Sequence, residues 1–308
     1  MTTPPGESPA VARRRLRLAL RRAREEMGYT QHQVAEEMEW SISKVMRIES
    51  GEVTVSVNDT RSLLTYLGVT DRDEVARLVQ SARDARKREW WDEPRYREHV
   101  PPALRRLIQF ETEAREIHYF YPMIIPGPLQ VEDYARAILR SHFGTSDNAV
   151  GEVRLEARQR RRQAFLGRRD DPTVRLLLDE SVLYRTLGDF NLLSKQLFDL
   201  HSLAAQSRIR VRIIPFTADI AFPLLGTFEI YGLSKSDNDS TDGIDDAVMY
   251  RESDQLDELV EDQAAVSRHL SVFEDMWTGA LDEARSTQMI LESAQHAASK
   301  ASKTATSG

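Results

Sequence analysis

The spacing of hydrophobic residues predicts helices throughout the first part of the chain. Leu16 and Leu20 lie on one apolar stripe of a helix that ends at Gly28. Further stripes, separated by short polar segments, predict four more amphipathic helices. The five predicted helices cover about residues 11–27, 31–38, 41–50, 57–67 and 71–91. Because their connections are short, residues 10–91 are expected to fold as a compact all-α domain.

The pattern changes after residue 102. Apolar and charged side chains alternate over residues 208–214, which is typical of a strand with one solvated face. Further strands are predicted at 116–121, 173–178, 226–231 and 247–251, and helices at 131–141, 150–167, 190–206 and 254–291. Residues 103–292 are therefore expected to form an α/β (α+β) domain. Its sheet is expected to be small and mostly antiparallel, followed by a long C-terminal helix.

Three segments fit neither pattern. Residues 92–102 contain three prolines and are predicted to be a linker. Residues 1–9 and 293–308 hold few large apolar side chains, so we expect two disordered tails there.

The composition supports two domains with buried cores. The chain has 308 residues, of which 41% are hydrophobic, and one domain takes roughly 100–200 residues. It contains no cysteine, which excludes disulfides, thiolate nucleophiles and cysteine-based zinc sites. No run approaches the roughly 18 apolar residues of a membrane span, and the first helix is basic, unlike a secretory signal. We expect a cytoplasmic, nucleoid-associated protein without membrane contact.

Charge is distributed unevenly along the chain, whose net charge is −7. Residues 1–91 hold 16 Lys and Arg against 14 Asp and Glu, a net charge of +2, and the remainder holds 26 against 35, a net charge of −9. The first helix alone contains Arg13, Arg14, Arg15, Arg17, Arg21, Arg22 and Arg24. This asymmetry favours a local nucleic-acid surface attached to a domain with a second role.

The segment 30–51 has the strongest functional signal in the chain. It predicts a helix, a tight turn and a second helix, with the small Ala35 where the two helices cross. At about 100° per residue, one side of the second helix is expected to be buried and holds Ile42, Val45 and Ile48. The opposite arc carries a hydroxyl and two cations, from Ser43, Lys44 and Arg47. Such a helix fits the major groove of DNA, where Arg and Lys reach guanine edges or phosphates.

This segment resembles the helix-turn-helix of the phage-repressor (XRE) family. The matching positions are Gly28, Thr30, Gln31, Ala35, Ser41, Ser43, Val45, Arg47, Ile48, Glu49 and Gly51. The resemblance implies a lambda-repressor-like fold in which helix 41–50 enters the major groove and Glu49 has a structural role. With the basic first helix included, the residues expected to contact DNA are Gln31, Ser41, Ser43, Lys44, Arg47, Arg14 and Arg15. Met46 replaces the small polar residue of many relatives, so no base preference carries over.

A narrower resemblance extends along most of the chain. It rests on Trp40-Ser41, Ser43-Lys44, Trp90-Trp91, Phe110-Glu111, Glu113-Ala114, residues 122–130 and Tyr134-Ala135. Together these segments are similar to WhiJ-like actinobacterial regulators, which join a helix-turn-helix to an α/β domain of uncharacterised function. Pro128 departs from the leucine that is usual in that loop. The resemblance implies a small partner protein encoded nearby, in an arrangement compared with toxin–antitoxin pairs.

Candidate binding residues in the second domain are few. Tyr119 and Tyr121 lie on a predicted strand and Glu180 follows another, so we expect them at an open sheet face that binds a ligand or partner. An arginine cluster over 154–169 is either a phosphate-binding surface or a solvated helix face that pairs with the acidic C-terminal domain, and the net acidic charge of that domain favours the latter. No catalytic, nucleotide-binding or metal-binding motif is found. We therefore expect no enzymatic activity, catalytic residue, metal site or cofactor.

These features favour a sequence-specific transcriptional regulator. Residues 10–91 are expected to bind double-stranded DNA, and residues 103–292 to bind a partner protein, a small molecule or a peptide effector. We expect a homodimer, because one such domain reads only a few base pairs. The alternative is an antitoxin-like component of a two-protein system that autoregulates its own operon.

Overall fold

The computed structural model describes residues 8–51, 53–143, 148–169, 172–218, 226–233, 246–252 and 257–306. It divides into two compact units, Met1–Asp92 and Glu93–Gly308. The predicted disordered tail at 1–9 lies mostly outside the described residues, but it is wrong for Pro9, where the first helix begins. Proline is favoured at that position because the missing N–H has no partner in the first turn of a helix.

The first unit is the predicted all-α bundle. Its helices are α1 (Pro9–Glu26), α2 (Gln31–Glu37), α3 (Ile42–Glu49), α4 (Val57–Tyr66) and α5 (Arg72–Asp84). Four of them have an N-cap residue whose side chain accepts a hydrogen bond from a backbone N–H of the first turn. These N-cap residues are Thr30, Ser41, Ser56 and Asp71. The core contains one apolar stripe from each helix, including Leu16, Val34, Val45, Leu64 and Leu78. The five-helix fold is thus confirmed.

Two boundaries in this region differ from the predictions. Helix α5 ends at Asp84, before the predicted end at 91: buried Ala85 is its C-cap, and the four charged residues 86–89 that follow are exposed. The predicted linker 92–102 is not irregular, since Pro94–His99 forms a helix, α6, of the second unit. Tyr96 of this helix is fully buried, and that burial explains why a proline-rich segment is ordered.

The second unit contains six strands and seven helices among its described residues. The strands are β1 (Glu116–Tyr121), β2 (Thr173–Asp179), β3 (Arg210–Ile214), β4 (Thr227–Gly232), β5 (Ala247–Glu252) and β6 (Glu258–Val260). After α6, the helices are α7 (Pro102–Glu111), α8 (Glu132–Phe143), α9 (Asn148–Gly167), α10 (Phe190–Ala205), α11 (Gln263–Gly279) and α12 (Glu283–Thr306). The predicted α/β architecture with a long C-terminal helix is confirmed.

The strands form one mixed sheet in the order β3-β2-β1-β4-β5-β6. Strands β1, β2 and β3 pair in parallel, whereas β1–β4, β4–β5 and β5–β6 pair antiparallel. The strand at 208–214, whose alternation favoured an antiparallel sheet, is therefore a parallel edge strand. Helix α12 covers that edge: Leu281 N donates to Ile213 O at 2.9 Å, and Ser286 Oγ accepts from Ile213 N at 2.9 Å.

Alternate side chains of the sheet pack on opposite faces. Phe120 and Phe228 belong to an apolar cluster with Phe273 and Trp277 of α11. The neighbouring residues in β1 and β4 point to the other face, towards α9. This second face carries polar groups and is described below.

The C-terminal helix differs from its prediction in two ways. The predicted single helix 254–291 is divided into β6, α11 and α12; Ala280 is extended and Asp282 caps α12 by accepting from Arg285 N at 2.8 Å. The predicted disordered tail at 293–308 is wrong for 293–306, which continue α12. Ala294 and Ala297 are buried there, and Ser194 Oγ of α10 donates to Ala294 O at 3.0 Å. The small side chains of this segment were expected to bury too little apolar surface for a core, but they permit close packing of α12 against α10.

Candidate nucleic-acid interface

The turn between α2 and α3 sets the orientation of α3 relative to α2. Glu39 adopts a left-handed backbone conformation with φ of 52°, which few residues other than glycine adopt. The next residue continues the turn, since Trp40 N donates to Ala35 O at 2.8 Å. Ala35 is buried at this crossing, as its small size predicts. The two helices therefore form a helix-turn-helix with a tight, hydrogen-bonded turn.

Glu49 at the end of α3 connects that helix to α1 and α2. Its carboxylate accepts from Arg24 Nε at 2.6 Å and from a second Arg24 nitrogen at 2.9 Å. It also accepts from Gln31 Nε2 at 2.8 Å. The Glu49 side chain is only 10% exposed, so these charge-assisted hydrogen bonds are shielded from water. The arrangement fixes α3 in place, and it engages Gln31, which we predicted as a DNA contact, in an internal hydrogen bond.

The outward face of α3 combines polar and apolar side chains. Val45 and Ile48 are buried as predicted, but Ile42 is 44% exposed. At about 100° per residue, Ile42 lies roughly 90° from the centre of the buried pair, which places it outside the core. Met46 is 52% exposed beside it. The exposed arc therefore consists of Ile42, Ser43, Met46, Arg47 and Ser50.

The predicted contact residues of α3 have different local environments. Ser41 accepts a hydrogen bond from Lys44 N and caps the helix. The Lys44 ammonium lies 3.5 Å from the centroid of the Trp40 ring and 3.6 Å from Asp59 Oδ2, at one edge of the exposed arc. Arg47 is exposed, and its Nε donates to Ser43 O at 3.3 Å. Arg47 thus presents its guanidinium at the centre of the polar part of the arc.

The arginines of α1 do not all belong to this surface. Arg14 is 5% exposed, so its assignment as a DNA contact is wrong, because a buried side chain cannot reach a duplex. Arg15 is exposed on the same helix. Two α1 arginines contact the end of α3: Arg17 donates to Glu49 O at 3.5 Å, and Arg24 pairs with the Glu49 carboxylate. Their spacing of seven residues, which repeats on one face of a helix, was a signal that could have identified them.

In the second unit, the predicted ligand face is closed. Tyr119 is fully buried and Tyr121 is nearly so, with their rings 6.3 Å apart on the face towards α9. Glu180 lies after the end of β2 and accepts a hydrogen bond from Phe216 N at 2.8 Å. An open face shared by Tyr119, Tyr121 and Glu180 is therefore wrong, because α9 covers the tyrosines.

A buried carboxylate that the sequence analysis missed lies beside these tyrosines. Glu229 of β4 accepts hydrogen bonds from the hydroxyls of Tyr121 and Tyr231. Burial raises the pKa of Glu229 to about 7, although the Arg161 guanidinium acts in the opposite direction. Arg161 itself forms a buried ion pair with Glu111, at 2.8 and 3.2 Å. This polar cluster occupies the interior between α9 and the sheet.

The arginine cluster of α9 pairs with acidic residues of the domain, as the favoured alternative predicted, but not all of its members are solvated. Its members point in several directions along the helix. Arg161 is buried against Glu111, and Arg162 pairs with Asp199 of α10 at 2.7 Å. Arg154 and Arg158 line a cavity of about 70 Å³ between α9 and the sheet. Most of these arginines therefore stabilise internal contacts of the second unit.

No three His, Asp or Glu side chains among the described residues come together so that they could hold a metal ion. No helix in the described ranges is both long enough and apolar enough to cross a membrane.

The fold and exposed face of the first unit define the class of helix-turn-helix DNA-binding proteins. Residues 15–78 match the family described as "Helix-turn-helix domain". Residues 104–292 match the family described as "Domain of unknown function (DUF5753)", and since they form more than half of the chain, the protein belongs to that family. The two matches together make it an XRE-like helix-turn-helix regulator. No curated protein and no solved structure matches the chain.

Proposed function

We propose that this regulator recognises a specific DNA sequence with α3 in the major groove. The observation that carries the proposal is the exposed arc of α3, held by the buried Glu49–Arg24 ion pair. Arg47 donates to the acceptor edge of a guanine, and Ser43 lies one turn before it on the same face. Lys44 and Arg15 contact the phosphates on either side of the groove.

The apolar side chains of the exposed arc favour a second feature of the DNA sequence that α3 recognises. Ile42 and Met46 are 44% and 52% exposed, so the described residues of the first unit leave much of both side chains uncovered. In the major groove, thymine alone presents a methyl group to an apolar side chain. The half-site therefore contains guanine next to one or more thymines.

The second unit is proposed to pair two copies and to bind an effector or partner. One helix-turn-helix reads only a few base pairs, and a homodimer reads two half-sites about one helical turn apart. We propose no enzymatic activity and no cofactor, and a nucleoid-associated, cytoplasmic location. The WhiJ-like resemblance supports an alternative in which the second unit binds a small protein encoded nearby, as an antitoxin-like component does.

Genome-wide footprinting of the tagged full-length protein tests the proposal. We expect discrete sites that share a motif of two half-sites with their centres about 10 base pairs apart. The same preparation, analysed by mass spectrometry, tests the alternative through a co-purifying small protein. Uniform coverage without a shared motif would contradict sequence-specific binding.

A further inference from the structure

The second unit contains a cavity that the DNA-binding activity does not use. It lies between α9 and strands β1, β4 and β5, next to the segment that follows β1. Its volume is about 70 Å³. Since one water needs roughly 10–15 Å³ in this measure, there is space for about five to seven non-hydrogen atoms. Apolar contacts come from Val100, Leu104, Ile124, Leu139 and Ala157.

Arg158 is the charged group in this cavity that most needs a partner. Its guanidinium donates to Gln130 Oε1 at 2.9 Å, and Gln130 is itself held by donating to Ile125 O at 2.6 Å. Arg158 forms no ion pair with any carboxylate among the described residues. Partial burial lowers the pKa of Arg158, although the charge of Glu252 acts in the opposite direction. A half-buried guanidinium without a carboxylate partner is stabilised when an anion joins it.

Carboxylates also line the cavity. Asp257 accepts a hydrogen bond from the Tyr250 hydroxyl, and Glu252 also lines the cavity. The charge of Glu252 raises the pKa of Arg158, but the two side chains form no ion pair. The cavity thus carries both signs of charge within a space of only a few atoms.

We infer that this cavity binds a small zwitterion, a free α-amino acid, whose carboxylate pairs with Arg158 and whose ammonium group faces Asp257. A guanidinium and a carboxylate match through two parallel hydrogen bonds. Inorganic phosphate fits less well, because Asp257 and Glu252 repel a dianion at close range. The limited volume favours amino acids with small side chains, such as glycine, alanine or serine. Binding there deepens the proposed effector role of the second unit and names the ligand class.

Thermal unfolding of the full-length protein tests this inference without DNA. The probes are the twenty free L-amino acids, each tested alone, with sodium acetate, ammonium chloride and inorganic phosphate for comparison. A ligand at tenfold its Kd is expected to raise Tm by about 3–6 °C. We expect this rise with at least one small amino acid, and none with acetate, ammonium or phosphate at the same concentration.

Arg158→Gln and Asp257→Asn separate a ligand site from a structural one. Arg158→Gln removes a half-buried charge that has no carboxylate partner among the described residues, so its ligand-free Tm is expected to equal or exceed that of the wild type. Each variant is expected to weaken amino-acid binding at least tenfold in calorimetry. Arg140→Gln removes an exposed arginine of α8 outside the cavity and serves as the matched control with unchanged binding. If Arg158→Gln does not fold, Arg158→Lys, which keeps the charge but loses the bidentate geometry, replaces it with the same expectation.

Three results would overturn the inference. They are no Tm rise with any amino acid, a rise with phosphate alone, and unchanged binding in the Arg158 variant. None of these results affects DNA binding by α3, which is measured separately. Conversely, evidence against DNA binding by α3 would not change the result expected for amino-acid binding in the second unit.

Discussion

Among single residues, Glu49 contributes most to the geometry of the interface. Its shielded carboxylate joins Arg24 of α1 and Gln31 of α2 to the end of α3. Glu49→Gln leaves the Arg24 charge without its partner. We expect the free energy of unfolding of the first unit to fall by about 2–3 kcal/mol.

Urea denaturation followed by far-UV circular dichroism measures this change. Glu36→Gln is the matched control, because Glu36 is exposed on α2 and pairs with His32, which is exposed as well. The control is expected to change stability by less than about 0.5 kcal/mol. Equal stability of both variants would show that Glu49 does not hold α3.

Glu229 makes the stability of the second unit depend on pH. Its folded pKa of about 7 lies above the value of about 4.3 for an exposed glutamate. Between these values the unfolded chain loses the proton and the folded unit keeps it. The contribution of Glu229 to the stability of the second unit is therefore greatest below about pH 4.3 and falls by about 3 kcal/mol as pH rises to 7.

Comparison of the wild type with Glu229→Gln isolates this effect, because contributions from other groups cancel in the difference. The amide cannot ionise, so the variant gains stability relative to the wild type between pH 5 and pH 8. Urea unfolding at the two pH values measures the gain. The same difference at both values would mean that Glu229 is ionised in the folded protein.

Some residues were predictable from the sequence and others were not. The exposure of Ser43 and Arg47 followed from helical spacing, but that of Ile42 did not, because packing near a helix end depends on the neighbouring helices. Glu229 was missed because it alternates with apolar residues in β4, which is also the pattern of a strand with a solvated face. Only the covering helix α9 distinguishes the two cases.

At the scale of elements, glycines, caps and periodicity predicted most helices and strands close to their observed bounds. The direction of the strands was not predictable. Alternation of apolar and polar residues indicates which face of a strand is solvated, but not which strand it pairs with or in which direction. The last predicted helix is divided at Ala280–Asp282, where Asp282 caps α12. The apolar stripe continues across this point, so periodicity alone did not predict the break.

The last turns of α12 provide a test at this scale. Deletion of residues 293–308 removes buried Ala294 and Ala297 from their place beside α10. We expect Tm of the second unit to fall by about 5 °C or more. Deletion of residues 304–308 is the control and is expected to leave Tm unchanged in differential scanning calorimetry. An unchanged Tm for the longer deletion would instead support the disordered tail that the sequence predicts at 293–308.

At the scale of the whole molecule, the charge asymmetry and the change of pattern after residue 102 predicted two units with different roles. The sequence did not indicate that α9 turns several of its arginines inward, since their partners, such as Glu111 and Asp199, are distant in the chain.

Oligomeric state is the prediction that belongs to this scale. We expect a homodimer at micromolar concentration, with one dimer per DNA site of two half-sites. Light scattering of the free protein and of its DNA complex measures both masses. A monomer that binds each site alone would contradict the proposed pairing.

The affinity of Arg47→Ala for its footprinted site tests the central claim most directly. Arg22→Ala is the matched control, since Arg22 is 81% exposed on α1 and pairs with Glu26. Fluorescence anisotropy at several salt concentrations gives Kd on the specific site and on random DNA. If Arg47 reads a guanine, its removal is expected to weaken specific binding by about 1–3 kcal/mol, roughly 5- to 150-fold, with little change on random DNA. Arg22→Ala is expected to bind as the wild type does. Wild-type affinity for Arg47→Ala, or an equal loss on both DNAs, would contradict recognition by α3.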